Sequence, residues 1–138
     1  GYGLVCWELS LPADPEVRCR RLETDPIDAV GAVLTPHAIP TGEQSAPVVT
    51  ALGDDSFLVG WQSDGVDGDG TALHLQRYTP LGIKLGPRVV ANRTWAGIQR
   101  FASLAAFPGG AGTFVVGWES EGQDGDGWSA VYRILPPE

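Results

Sequence analysis

The chain has 138 residues, of which 43% are hydrophobic, and it carries a formal net charge of −8 at pH 7. This length suits a single domain, and 19 glycines with 11 prolines are typical of a turn-rich, folded all-β protein. The acidic balance repels a phosphate backbone, which excludes nucleic acid as a partner. No apolar run approaches the roughly 18 residues that would span a membrane.

The first two predicted strands, Leu4–Ser10 and Glu16–Leu22, flank the turn sequence SLPADP. Symmetric pairing about this turn sets Cys6 opposite Cys19 and predicts a disulfide; the alternative is two buried thiols. A disulfide favours an oxidising compartment. The chain also starts at Gly1 and contains no Met, which is typical of processed material. We therefore expect a secreted, extracellular protein or a piece of a longer one.

Further strands follow in a four-strand pattern with a period of about 55 residues, which indicates a repeat architecture. This pattern predicts one domain, 1–138, with repeat units at approximately 1–43, 44–98 and 99–138. After the first two strands, the predicted strands are Val33–Ile39, Ala46–Leu52, Phe57–Trp61, Ala72–Tyr78, Pro87–Ala91, Phe101–Phe107, Phe114–Trp118 and Ser129–Leu135. A glycine turn is expected before the fourth strand of a unit, at Gly31 and at Gly82.

Two residue types mark the units. An apolar run ends on a tryptophan in each, at Trp7, Trp61 and Trp118, and these side chains are expected in the core. An arginine recurs at spacings of 56 residues, at Arg21, Arg77 and Arg133. Its recurrence favours a structural role, such as a guanidinium that binds backbone carbonyls or carboxylates between sheets.

The hydrophobic pattern predicts how these strands are buried. FLVGW and FVVGW are continuously apolar, which indicates strands covered on both faces. The strand Ala72–Tyr78 alternates apolar and polar residues, so we expect burial to fall toward the last strands of a unit.

Together these features predict an all-β, propeller-like array of three four-stranded antiparallel blades. The first blade would lack its inner strand and the last its outer strand. The alternative is a β-sandwich. Three blades cannot close a ring of the usual four to eight, so we expect either a homo-oligomer, in which a second copy makes six blades, or neighbouring subunits that add strands to cover the exposed sheets.

The pattern of an apolar run followed by W-x-S, DGDG, Q-R, V-x-N and G-x-Q spans Ser45–Leu135. It resembles the repeat of large secreted bacterial β-propeller-like proteins, including calcium-binding, adhesin-type ones. The resemblance implies an extracellular, propeller-like repeat and brings no catalytic residues with it.

Two acidic, glycine-rich loops are the candidate metal sites. Ca²⁺ prefers oxygen ligands, which alternating Asp and Gly can bring together; the same sequence also suits a tight strand connection. The candidate ligands are Asp64, Asp67 and Asp69 in one loop and Glu121, Asp124 and Asp126 in the other.

Trp95 and Trp128 differ from the other tryptophans because they lie in or beside polar loops. They are expected to pack against a partner subunit or to stack on a sugar ring. The sequence therefore favours a secreted, non-enzymatic subunit that assembles into a fibre, sheath or oligomer. A carbohydrate-binding, lectin-like module is the alternative, and an enzyme with paired carboxylates ranks last.

Overall fold

The computed structural model describes residues 1–12, 14–37, 42–64, 70–93, 96–109 and 111–136. In this part of the chain all regular structure is β. None of it forms a helix long and apolar enough to cross a membrane. The ten strands are β1 Tyr2–Leu9, β2 Glu16–Thr24, β3 Ile27–Leu34, β4 Gln44–Ala51, β5 Phe57–Asp64, β6 Thr71–Tyr78, β7 Lys84–Val90, β8 Gln99–Ala106, β9 Phe114–Glu121 and β10 Trp128–Leu135.

The strands form three antiparallel sheets, none of which closes on itself. The first sheet has the order β1-β2-β3, the middle sheet β4-β5-β6-β7, and the third sheet β8-β9-β10. Within each sheet, the strands that pair are consecutive in the chain, as expected when short turns join antiparallel strands. The predicted all-β class is confirmed, with sheets of three, four and three strands.

The middle sheet is buried on both faces, as its continuous apolar run predicts. On one face, Val59 and Trp61 pack with Val17 and Cys19 of the first sheet. On the other, Leu58 belongs to the apolar cluster that includes Phe114, Val116 and Trp118 of the third sheet. Successive side chains of a strand point to opposite faces, so one strand contributes to two separate cores.

The run FVVGW behaves differently from FLVGW. Phe114, Val116 and Trp118 are buried against the middle sheet, whereas Val115 and Gly117 on the opposite face are only half-buried. The prediction that both faces are covered therefore does not hold within this chain for β9. The reason is that none of the three sheets of the described residues covers its second face.

The prediction that burial falls at the third strand of a unit is wrong for β6. Its residues from Ala72 to Gln76 are all buried. His74 stacks on the Trp61 indole with ring centroids 5.7 Å apart, and Gln76 Nε2 donates a hydrogen bond to the Leu85 carbonyl at 3.2 Å. Polar side chains are tolerated in the core when they find such partners, so their alternation does not mark a solvent-facing side.

The third strand, β3, lies earlier than predicted. A two-residue turn at Asp25–Pro26 joins it directly to β2, so β3 overlaps the predicted Val33–Ile39 only at its end. Residues 38–39 of that prediction lie outside the described residues.

Gly31 accordingly forms a β-bulge and not the predicted turn. The register between β2 and β3 shifts beside it, and its φ of 74° is one that glycine adopts without strain. Gly86, with a φ of 64°, occupies the same kind of shift between β6 and β7. Gly31 thus corresponds to Gly86, while Gly82 lies in the turn between β6 and β7.

The disulfide is formed as predicted. β1 and β2 pair with Cys6 opposite Cys19, and their sulfur atoms are bonded at 2.09 Å. The bridge joins the two strands of the first sheet whose side chains pack on the middle sheet.

Tyr78 gives the fold an expected sensitivity to alkaline pH. Its side chain is buried, its hydroxyl has no hydrogen-bond partner among the described residues, and burial raises the pKa of Tyr78 to about 12. The folded state keeps the phenol neutral, whereas the unfolded chain ionises it at the ordinary pKa of about 10. The contribution of Tyr78 to the free energy of unfolding is therefore complete below pH 10 and is lost as pH rises from about 10 to about 12. The loss is about 1.4 kcal/mol per pH unit.

We expect Tyr78→Phe to remove most of this loss and to leave stability at pH 7 unchanged or higher, since no unpaired hydroxyl remains buried. Urea unfolding at pH 7 and pH 11 measures both effects. Tyr2→Phe, at an exposed ring, is the matched control. Equal losses between the two pH values in wild type and Tyr78→Phe would show that Tyr78 is not responsible.

Candidate functional site

The outer face of the third sheet is apolar and uncovered. Tyr132, opposite Gly117, is 71% exposed, and Ile134, opposite Val115, is 56% exposed. Phe101 on β8 is 65% exposed. The third-sheet patch is defined as Phe101, Val115, Trp128, Ala130, Tyr132 and Ile134. Contiguous apolar surface of this kind marks an interaction site in a soluble protein.

One cation connects two aromatic residues of this patch. The Arg100 guanidinium lies 3.5 Å from the centroid of the Trp128 ring and 4.8 Å from that of Phe101. Arg100 Nε also donates a hydrogen bond to the Glu119 carboxylate at 3.1 Å. Cation–π contacts of this geometry favour fixed ring positions, so Arg100 holds two aromatic side chains in place on an exposed face.

The first sheet also has an uncovered outer face, which is the second such face in the described part of the chain. Leu4 and Cys6 pack on the middle sheet, so the alternating residues Val5 and Trp7 point away from it. Opposite them in β2 lie Arg20 and Arg18. The first-sheet patch is defined as Val5, Trp7, Leu9, Leu22 and Ile27.

The two arginines beside this patch are anchored within the first sheet. Arg18 binds the carboxylate of Glu16 and the hydroxyl of Thr35. Arg20 Nη2 donates to the Ala29 carbonyl at 3.5 Å. Their aliphatic stems can therefore cover apolar surface while the charged ends remain bonded.

Residues in the three sheets correspond when they stand at the same number of places from the tryptophans Trp7, Trp61 and Trp118, or pair with residues that do. The residue after the tryptophan makes the same contact at both internal interfaces. Glu8 Oε2 accepts a hydrogen bond from the Ala46 backbone N–H at 3.3 Å, and Gln62 Oε1 accepts one from Phe101 N–H at 2.8 Å. The third residue in this series, Glu119, lies on the outer face of the third sheet.

A buried polar group supports Trp61 but not Trp118. Trp61 Nε1 donates to Gln44 Oε1 at 2.8 Å, and Gln44 Nε2 donates to Ser63 Oγ at 2.8 Å. In the third sheet the corresponding Gln99 accepts instead from Asn92 Nδ2 at 3.1 Å. The Trp118 indole N–H is buried without a partner among the described residues.

The three recurring arginines do not all face the same way. Arg21 lies opposite Leu4 and Arg77 opposite Leu58, both three places before a tryptophan. Arg133 lies opposite Val116, two places before Trp118. A one-residue difference in register moves a side chain to the other face of a strand, so equal spacing in the sequence does not give equal orientation here.

The partners of these arginines differ accordingly. Arg77 Nε donates to Ser56 Oγ at 2.9 Å, and its guanidinium pairs with the Asp54 carboxylate. Burial opposes ionisation of Asp54, but the hydrogen bonds from Ser56 and the charge of Arg77 lower its pKa below the usual value. Arg133 Nη1 donates to the Val90 and Ala91 carbonyls of the middle sheet, which is the kind of contact expected for these arginines.

The acidic loops are only partly described. Asp64 is exposed at the end of β5, whereas Asp67 and Asp69 lie outside the described residues, as does Trp95. The loop after Glu121 closes through a hydrogen bond from Gly122 N–H to the Gly127 carbonyl at 2.7 Å.

Inside that loop Asp124 Oδ1 accepts a hydrogen bond from Asp126 N–H at 3.3 Å, an arrangement typical of tight turns. Across the described ranges, no three His, Cys, Asp or Glu side chains are grouped to hold a metal ion.

No protein family, curated protein or solved structure matches this chain.

Sequence reasoning found Trp128 but missed its neighbours Phe101, Tyr132 and Ile134. A usable signal is present in WSAVYRIL, the sequence of β10, where one alternating set of residues is entirely apolar or aromatic and the other still contributes Val131 and Leu135. One set packs on the middle sheet through Val131 and Leu135. No described strand covers the other set, so it forms an exposed surface.

Proposed function

We propose that the protein is a secreted, non-enzymatic structural subunit that assembles with further copies of itself into a fibre, sheath or oligomer. The observation that carries the proposal is a difference in burial between corresponding positions of the middle and third sheets. Leu73 and Leu75 are buried beneath the third sheet, whereas the corresponding Ala130 and Tyr132 are exposed. A surface built like an internal interface is expected to be covered in the working protein.

A propeller-like arrangement of the sheets as blades agrees with this proposal. The innermost strand of the middle sheet, β4, contacts β8, which is the innermost strand of the third sheet. Blades arranged about an axis place their innermost strands in this way. Two copies would contribute six sheets, which is within the usual range of closed propellers.

The extracellular location is supported by the disulfide between Cys6 and Cys19, because such bonds persist in oxidising compartments. The net charge of −8 also agrees with a partner that is another protein and not an anionic surface.

Tyr132→Arg is expected to convert the assembled protein to a monomer, since it places a charge at the centre of the third-sheet patch. Light scattering after size exclusion, at micromolar concentration, should give a multiple of 14.6 kDa for wild type and 14.6 kDa for the variant. Ile83→Arg, at an exposed position in the β6–β7 turn, is the matched control and should assemble normally. A monomeric wild type would overturn the proposal.

Glycan binding is the second candidate function, favoured by the exposed rings of Phe101, Trp128 and Tyr132. Arg100 already covers one face of the Trp128 indole, which leaves Tyr132 as the most open ring. A glycan-array signal from a monomeric wild type, abolished by Tyr132→Ala, would favour this function over assembly.

A further inference from the structure

We propose that copies of the chain associate head to tail, with the first-sheet patch of one copy packed on the third-sheet patch of the next. This inference rests on the proposed self-assembly and specifies its geometry.

The two internal interfaces show which faces can pack together. Each sheet has one face bearing its recurring tryptophan, Trp7, Trp61 or Trp118, and one face without that residue. Between the first and middle sheets, the Trp61 face packs on the face that contains Val17 and Cys19. Between the middle and third sheets, the Trp118 face packs on the face that contains Leu58 and Leu75. Both interfaces therefore join a tryptophan face to a face without tryptophan.

One face of each kind remains uncovered. The outer face of the first sheet carries Trp7, and the outer face of the third sheet carries Tyr132 and no core tryptophan. Packing one on the other repeats the internal arrangement. A two-fold symmetric contact would instead join two like faces, which occurs at neither internal interface.

The side chains at the new contact differ in size in a compensating way. Phe114 and Leu75 line one cavity between the third and middle sheets. The residues that correspond to them on the uncovered faces are Gly3 and Tyr132. A glycine thus stands in the place of the larger ring and a tyrosine in the place of the smaller leucine, so the tyrosine fills part of the space that the glycine leaves.

The net charges of the two outer faces also favour a contact between the first-sheet patch and the third-sheet patch. Arg18 and Arg20 outnumber Glu16 on the outer face of the first sheet, which leaves one net positive charge. On the outer face of the third sheet Glu119 and Glu121 outnumber Arg100, which leaves one net negative charge. Complementary charge selects the mixed pairing over contacts between two identical faces.

A head-to-tail contact uses different surfaces on its two sides, so each bound copy still offers a free patch. Such a contact produces a closed ring when the rotation between copies closes, and an open filament when it does not. Both are compatible with the six or more sheets that successive copies supply.

Mixing two single-face variants tests the geometry. Tyr132→Arg blocks the third-sheet patch and Val5→Arg blocks the first-sheet patch. We expect each variant alone to be monomeric. An equimolar mixture should form a dimer of twice the 14.6 kDa monomer mass, measured by light scattering and sedimentation velocity up to several hundred micromolar. The double variant, mixed with either single variant, should give no dimer.

The outcomes separate this inference from the function on which it rests. If the wild type assembles but the mixture stays monomeric, or a single variant still assembles, the head-to-tail contact is wrong. Self-assembly itself then still holds. A monomeric wild type overturns both. Should either variant fail to fold by circular dichroism, Ile134→Arg and Leu9→Arg block the same two patches at exposed positions and give the same test.

Discussion

Replacing Trp61 by alanine is expected to lower the free energy of unfolding by about 3–5 kcal/mol, the usual cost of emptying a large aromatic site in a core. Trp61 is fully buried between the first and middle sheets, stacked on His74. Its loss also leaves Gln44 Oε1 buried without the indole donor. Urea unfolding at fixed, low protein concentration measures the change and keeps any contribution from assembly constant.

Phenylalanine variants separate the hydrogen bond from the volume. Trp61→Phe and Trp118→Phe remove similar volume from two buried sites, but only Trp61 donates to a described partner. We expect Trp61→Phe to cost about 1–3 kcal/mol more than Trp118→Phe, because it leaves a buried acceptor unsatisfied. Equal costs would contradict a stabilising role for the Trp61–Gln44 bond.

Reduction of the disulfide is expected to cost about 3 kcal/mol. Cys6 and Cys19 are separated by 13 residues, and closing a loop of that length restricts the unfolded chain by about this amount. Urea unfolding with and without a thiol reductant should show a lower midpoint in the reduced sample. The double variant Cys6→Ala/Cys19→Ala is the control, since its midpoint should not respond to the reductant. An unchanged wild-type midpoint in protein verified as reduced would contradict the prediction.

Much of the fold can be predicted from local pattern. Apolar runs bounded by Gly and Asp located most strands, and the turn between β1 and β2 placed Cys6 opposite Cys19 correctly. These features depend on neighbouring strands and short turns, in which sequence distance and spatial distance agree. FLVGW was also interpreted correctly as a strand buried on both sides.

The errors arise where one residue of register decides the outcome. Gly31 was expected to form a turn, but the Asp25–Pro26 turn starts β3 earlier and leaves Gly31 as a bulge. Arg133 shares its sequence spacing with Arg77 but points to the opposite face, because it pairs one place nearer to the tryptophan. A side-chain period of two makes such single-residue differences reverse the predicted environment.

The candidate surface was only partly predictable. Trp128 was noticed because it follows a polar loop, whereas Tyr132 lies inside a largely apolar strand and was not singled out. Whether such a residue is buried depends on the presence of another sheet above it, which local sequence does not encode. The same dependence explains why Leu75 is buried in the middle sheet while Tyr132, at the matching place, is exposed.

Side-chain oxidation by hydroxyl radicals tests the central claim most directly, because it measures whether the outer faces of the end sheets are covered. As protein concentration rises through the assembly range, oxidation of Tyr132 and Val5 should fall several-fold. Oxidation of Leu81 and Ile83, exposed in the β6–β7 turn of the middle sheet, should stay constant. Unchanged oxidation of Tyr132 and Val5 at every concentration would mean that both faces remain open, and the account of this protein as a self-assembling stack of sheets would be wrong.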